Sequence, residues 1–220
     1  MGAFISKAAL FVPRSSPLSK ICAIAGGSGA GKTTLARMVH EVLIEDADHL
    51  AIDWYYKDLS HITMEERRAV NYDHPDSLEF GLFGEHLDNL RDGQPVHAPQ
   101  YDFATHTRTT DVITVKPRPV VVADGILLLA VPEVRPHYDH AVFVDVPEQV
   151  RLERRVRRDV AARGRDADDI VRQWNEFVAP MHAELVQPSM AFADRVVTMD
   201  EDFTAVARDI AHHLLGNGAR

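Results

Sequence analysis

Residues 26–34 read GGSGAGKTT and lie between the apolar run ICAIA and the amphipathic run LARMVHEVL. The segment Gly26-x4-Gly31-Lys32-Thr33 satisfies the pattern G-x-x-x-x-G-K-[ST], directly after an expected strand and directly before an expected helix. Glycines suit such a loop because successive backbone N–H groups must turn inward around phosphate oxygens, in dihedrals that a Cβ obstructs. The loop residues Gly26, Gly27, Ser28, Gly29, Ala30, Gly31, Lys32, Thr33 and Thr34 are therefore expected to cradle a nucleoside triphosphate. Lys32 would reach the β and γ phosphates and the Thr33 hydroxyl would ligate Mg²⁺, while the helix N-terminus adds partial positive charge.

Proteins with such loops include switches, motors and kinases, and the loop does not choose between them. The chain has no N-K-x-D sequence of a guanine-specific switch and no LSGGQ signature of a transport ATPase. A small-molecule kinase needs a carboxylate near the γ-phosphate, a cationic lid and an acceptor pocket. Asp53 closes HLAID, an expected strand whose C-terminal end would face the crevice of a doubly wound sheet. It is a candidate to orient the acceptor hydroxyl, with turn capping as its structural alternative. Asp124, which closes VVVAD, is placed either to reach the metal through water or to serve as an ordinary turn aspartate.

Residues 151–165 carry seven arginines and two acidic residues. If 148–163 form a helix, Arg151, Arg155 and Arg158 share one face, and the chain continues through a Gly-containing loop to Arg165. In an otherwise acidic protein this reads as a lid over phosphates spanning 151–170, against the plainer reading of a solvated helix face.

The elements that must position these groups follow from hydrophobic patterning. ICAIA, HLAID, VVVAD, AVFVDV and RVVTM read as strands, and KTTLARMVHEVL, SLEFGLFGEHLDNL and FTAVARDIAHHLL read as helices. This alternation predicts an α/β fold of the P-loop NTPase type, a parallel sheet flanked by helices. The segment 94–116 departs from it, with Gly, Pro and alternating apolar residues that predict a β-hairpin insertion over the pocket.

A length of 220 residues, 45% of them hydrophobic, fits one domain over 20–220, preceded by a loosely ordered leader at 1–19. The formal net charge of −9 argues against a general nucleic-acid binder. The single cysteine, Cys22, allows no intramolecular disulfide and fits a reducing cytoplasm. No apolar run approaches the roughly 18 residues that would mark a membrane span, so a cytoplasmic protein is expected. The twelve histidines show no metal-ligand spacing, and His212-His213 reads as a solvated helix end.

Across residues 20–199 the chain resembles the uridine–cytidine kinases. The resemblance rests on GGSGAGKTT, DWYYKD (53–58), NYDHPDSLEF (71–80), YDFATHTR (101–108), DGILLL (124–129), RRVRRDVAARGRD (154–166) and QWNEFVAPMHAELVQPSMAFAD (173–194). It implies transfer of the γ-phosphate of ATP, or in some members GTP, to the 5′-hydroxyl of uridine or cytidine in pyrimidine salvage. It further implies Asp53 as catalytic base, with Thr33, Asp53 and Asp124 around Mg²⁺. Asp73 and Arg155 would hold the ribose hydroxyls, Tyr101 and His106 the pyrimidine edge, and Phe103 an aromatic wall. Arg158 and Arg163 would approach the phosphates, and Arg165 and Gln173 would complete the nucleoside side. A homo-oligomer, commonly a tetramer, is also implied.

This chain departs from the family's pattern in having Asp124 where glutamate precedes G-I-L, Trp54 beside Asp53, Trp174 where tyrosine is common, and no Pro-Arg-Gly-Gly after RVVTM. Two other readings stand beside it: a kinase for another small hydroxyl-bearing acceptor, such as ribulose 5-phosphate or pantothenate, and a non-catalytic nucleotide-gated module.

Overall fold

The computed structural model describes residues 19–216. Five strands form one parallel sheet: β1 (Lys20–Gly26), β2 (Ala47–Ala51), β5 (Val120–Gly125), β6 (His140–Asp145) and β7 (Arg195–Thr198), in the order β2-β5-β1-β6-β7. The apolar sequences of the inner strands β1, β5 and β6 follow from burial on both faces. Every residue of β5 is buried, as are all of β1 after Lys20, which a sheet covered on one side would not require.

The two-residue period of a strand sorts β1 between two cores. Ile21, Ala23 and Ala25 face one, which also contains Phe83, Leu87 and Leu90 of helix α3 (Phe80–Arg91). Cys22 and Ile24 face the other, with Leu35, Ala36 and Val39 of α1 (Lys32–Leu43) and Val206 and Ile210 of the C-terminal helix Phe203–Leu215. Cys22 is fully buried and packs as a small hydrophobe, its thiol pushed up to about 12 first by burial and then by the Asp194 charge. A short helix, α2 (Met64–Arg68), begins with a capping box between Thr63 and Glu66.

The hairpin lies where the sequence puts it. β3 (Val96–Asp102) and β4 (Thr107–Val115) pair antiparallel, with a register shift between Pro99 and Tyr101. Arg108 clamps this hairpin to the segment after β2: its Nε donates to the Tyr56 carbonyl at 2.8 Å, its Nη2 to the Tyr55 carbonyl at 3.1 Å, and its Nη1 lies 2.7 Å from Glu79.

Three expectations change. Residues 1–18 of the expected leader lie outside the described residues, but Ser19 is no leader residue: it is buried, and its hydroxyl donates to the Leu90 carbonyl at 3.0 Å. The strand expected to run to Asp53 ends at Ala51, and Ile52–Tyr55 form a 3₁₀ turn. That turn lies so close to β5 that a Cβ on Gly125 would overlap the Ile52 side chain. Finally, α4 (Glu148–Arg163) is the helix expected, ending at Gly164 in the left-handed conformation, yet its buried stripe is Arg151, Arg155 and Asp159. Arg151 is not part of a lid. It packs beneath the phosphate loop, where a Cβ on Gly27 would touch its Nη1, and Arg158 lies exposed off the buried stripe.

A longer helical run over 167–192 follows. It opens with α5 (Ala167–Gln173), capped by Asp166, and contains π-helical turns at Trp174–Val178 and His182–Val186. Each π turn holds the residue four positions before a proline, Glu176 before Pro180 and Glu184 before Pro188. A proline ring collides with that carbonyl in an α-helix, and widening the turn relieves the collision without ending the helix.

Candidate active site

The phosphate loop is fixed from below. Gly26 has φ 140°, and a Cβ there would strike the Val144 carbonyl; Gly29 has φ 80°, and a Cβ there would strike the Arg151 carbonyl. These two positions require glycine for conformation and for space together. Ser28, Gly29, Gly31, Lys32, Thr33 and Thr34 line the clefts above the loop, whereas Gly26, Gly27 and Ala30 form its packed underside.

Lys32 is buried and its Nζ donates to the Gly27 carbonyl at 2.9 Å. Burial pulls its ammonium down to about 8, against the opposing pull of Asp53 and Asp124. A polyphosphate entering the loop would restore the charge that burial disfavours.

The Thr33 hydroxyl donates to Asp124 Oδ2 at 2.6 Å, and His49 Nε2 lies 2.7 Å from Asp124 Oδ1. Burial opposes ionisation of Asp124, but these two bonds and the nearby Lys32 hold its carboxyl below the usual range. Asp53 is the opposite case. Burial and then the Asp124 charge raise its carboxyl, with Lys32, Arg163 and Arg158 pulling the other way. Asp73 is likewise raised by burial and opposed first by Arg155.

Two clefts meet here. The first is lined by Asp73, Tyr101, Phe103, His106, Arg155, Arg165 and Gln173, which is every residue expected on the nucleoside side. The second runs over Gly29, Gly31 and Thr34 toward His49 and Trp54. Lys32, Thr33, Asp53, Asp124, Arg158 and Arg163, with Phe103, line both. The residues expected to transfer phosphate thus form the boundary between two chambers.

The first cleft has an aromatic wall. Tyr56 packs edge-on to Tyr72 at 5.6 Å and against Tyr101 at 5.2 Å, and His106 stacks on Tyr72 at 4.8 Å and 18°. His106 sits in the tight hairpin loop with φ 55°, and burial followed by the Arg165 charge keeps its imidazole below its ordinary pKa. Arg163 lies over the Phe103 ring at 4.1 Å, tying the arginine loop to the hairpin. Arg155 Nη1 donates to the Ser28 hydroxyl at 3.1 Å, and Arg165 Nη2 to Gln173 Oε1 at 2.7 Å.

Four residues here escaped the sequence reading. Tyr56 and Tyr72 lie inside motifs quoted for their aspartates, and His49 lies one strand away from its partner in space. Asp159 is the fourth. With no exposed side-chain surface, it faces Arg158 at 2.8 Å, Arg163 at 3.5 Å, and Arg155 and Arg165 at 3.7 Å. One carboxylate gathers four guanidiniums without neutralising them, so the cluster stays cationic where phosphates would lie.

The arrangement can be compared with known proteins. Residues 21–204 match the Phosphoribulokinase / Uridine kinase family. The chain belongs to that family. A uridine kinase of Proteus mirabilis (strain HI4320) is 41% identical over 182 residues, covering 80% of this chain and 85% of that protein. One from Vibrio atlanticus (strain LGP32) is 42% identical with the same coverage. Solved structures share the fold at lower identity. A putative fructose transport system kinase from Silicibacter sp. TM1040 aligns with TM-score 0.68 and 21% identity over 84% of this chain and 92% of its own. Phosphoribulokinase from Rhodobacter spheroides aligns with TM-score 0.61 and 12% identity over 84% of this chain and 72% of its own. No helix among the described residues is long and apolar enough to cross a membrane.

Proposed function

We propose that the protein is a uridine/cytidine kinase that transfers the γ-phosphate of ATP to the 5′-hydroxyl of a pyrimidine nucleoside. The observation that carries this reading is the junction of the two clefts at Lys32, Asp53, Arg158 and Arg163. A donor triphosphate in the loop and an acceptor in the aromatic cleft would meet only there.

In this reading Asp53 accepts or orients the proton of the 5′-hydroxyl, and Lys32 with the lid arginines stabilises charge on the transferred group. Asp73 and Arg155 hold the two ribose hydroxyls, one as acceptor and one as donor. The flat pyrimidine face lies against the aromatic wall, and His106 meets its polar edge. Either imidazole tautomer is available, so one side chain suits both the O4 of uracil and the amino group of cytosine.

Thr33, Asp53 and Asp124 offer the hard oxygen donors that fit Mg²⁺. No group of three or more His, Cys, Asp or Glu side chains disposed as a metal cage occurs among the described residues. A nucleotide-bound Mg²⁺ takes its remaining ligands from phosphate oxygens and water. Held by Thr33, Asp53 and Asp124 together with the triphosphate, it would supply neutralisation of phosphate charge.

Arginines line the first cleft, so cations alone do not separate a nucleoside from a sugar phosphate. The cleft also presents Tyr56, Tyr72, Tyr101, Phe177 and Val178, a surface for a planar base that ribulose 5-phosphate and pantothenate lack. ADP release should be measured with ATP and Mg²⁺ and, in turn, uridine, cytidine, adenosine, ribulose 5-phosphate, pantothenate and no acceptor. Release that requires uridine or cytidine and yields the 5′-monophosphate is the expected result. Release only with another acceptor would overturn the pocket assignment, and slow acceptor-independent release would favour a nucleotide-gated module.

A further inference from the structure

Asp124 is the least exposed carboxylate at the junction, and the register of the sheet decides what can reach it. Ala51 of β2 pairs with Asp124 of β5, and His49 pairs with Val122. Alternation along parallel strands puts His49, Ala51, Val122 and Asp124 on one face, so His49 and Asp124 are diagonal neighbours there. The face is the one covered by α1, which brings Thr33 to the same carboxylate. Asp124 therefore accepts on both oxygens, from Thr33 at Oδ2 and from His49 at Oδ1. Trp54, packed edge-on to the imidazole at 5.5 Å, fixes the ring plane from the other side.

We infer that His49 is a positioning residue for the nucleotide-bound divalent cation, acting through Asp124. This rests on the phosphate-transfer reading of the junction. A carboxylate with one methylene can rotate about a single side-chain bond before its terminal group turns, and a donor on one oxygen limits both motions. With Nε2–H held by Oδ1, the Oδ2 edge stays turned toward Thr33, the side from which a cation in the loop would be met. His49 touches neither phosphate nor acceptor in this role. Partners of this kind orient metal-facing groups, and their loss typically weakens metal affinity by about 10- to 100-fold. His49 lies on an edge strand with its side chain about one quarter exposed, so replacing it leaves the core intact.

The test uses the full chain and Mn²⁺ as the probe, with free Mn²⁺ followed by electron paramagnetic resonance in the presence of ADP. His49→Ala is expected to weaken Mn²⁺ binding to the protein–ADP complex about tenfold, well beyond any change in metal-free ADP affinity measured on the same folded protein. His49→Gln, whose amide nitrogen reaches the place of Nε2, is expected to restore most of that affinity. Wild-type Mn²⁺ affinity in His49→Ala would overturn the inference. So would a loss that His49→Gln shares in full, since it would mark a packing role. The measurement needs no acceptor, so its outcome stands apart from which nucleoside is phosphorylated.

Discussion

The phosphate loop and the arginine cluster face the same gap, and they become electropositive in different ways. The loop uses backbone N–H groups, held in place by contacts that leave no room for a Cβ at Gly26 or Gly29. The cluster uses side chains gathered around the buried carboxylate of Asp159. The first is rigid because its positions are sterically determined; the second is adjustable because Arg158 and Arg163, which face both clefts, can trade Asp159 for a phosphate oxygen. Arg151 joins the two, packing under the loop from the same helix that carries the cluster. A site that must bind a polyanion and then release it gains from having one fixed and one movable half.

The largest effect is expected at the seam between the halves. Asp53→Asn should cut turnover by about 10²- to 10⁴-fold while ADP affinity measured by calorimetry stays close to wild type. Near-normal turnover would remove Asp53 from the reaction.

Within the rigid half, Gly29→Ala places a Cβ against the Arg151 carbonyl at a positive φ. It should cost about 3 kcal/mol and lower Tm by roughly 10 °C in a thermal melt. An unchanged Tm would show that the loop yields more than its packing implies.

Within the adjustable half, Asp159→Asn keeps the shape but loses the charge that gathers the arginines. A loss of about 2 kcal/mol, read as roughly 30-fold in kcat/KM, is expected from steady-state kinetics. Equal kcat/KM in the two proteins would mean that the arginines converge without it.

Lys32 ties the rigid half to pH. Its folded value of about 8 lies below the ordinary 10.5, so between those values the unfolded chain holds the extra proton and stability from this group rises with pH. Phosphates favour the charged form, so nucleotide affinity should fall as pH rises above about 8, by up to about tenfold per unit. Calorimetry in buffers of different ionisation enthalpy should show proton uptake on binding there. The smallest effect is expected for Ser28→Ala, which removes only the bond from Arg155 that links the halves. It should change kcat/KM by about threefold, in line with a single hydrogen bond of about 0.7 kcal/mol.

How much was legible in the sequence differs between the two halves for the same physical reasons. The loop is local: strand, glycines, lysine and helix are contiguous, so GGSGAGKTT could be read directly. The strands and the hairpin were also visible, because burial on two faces produces apolar runs and pairing produces alternation. The arginine cluster was visible only as a charge run. That Arg151 would lie under the loop while Arg155, Arg158, Arg163 and Arg165 gather on Asp159 depends on where α4 lands, and a lone aspartate among seven arginines gives no sign of being their hub. The helical run over 167–192 was hidden by Pro180 and Pro188, which normally end helices and here are accommodated by π turns.

The sequence by itself determined the phosphate loop, the alternation of strands and helices, and the set of motifs from Asp53 to Gln173, because each is written in neighbouring residues whose local geometry needs no distant partner. Only the tertiary structure decided that Asp53 sits in a turn beyond its strand, that Tyr56 and Tyr72 wall the first cleft, and that His49 reaches Asp124. Those contacts join segments tens of residues apart, and the register and packing that bring them together follow from burying two cores at once.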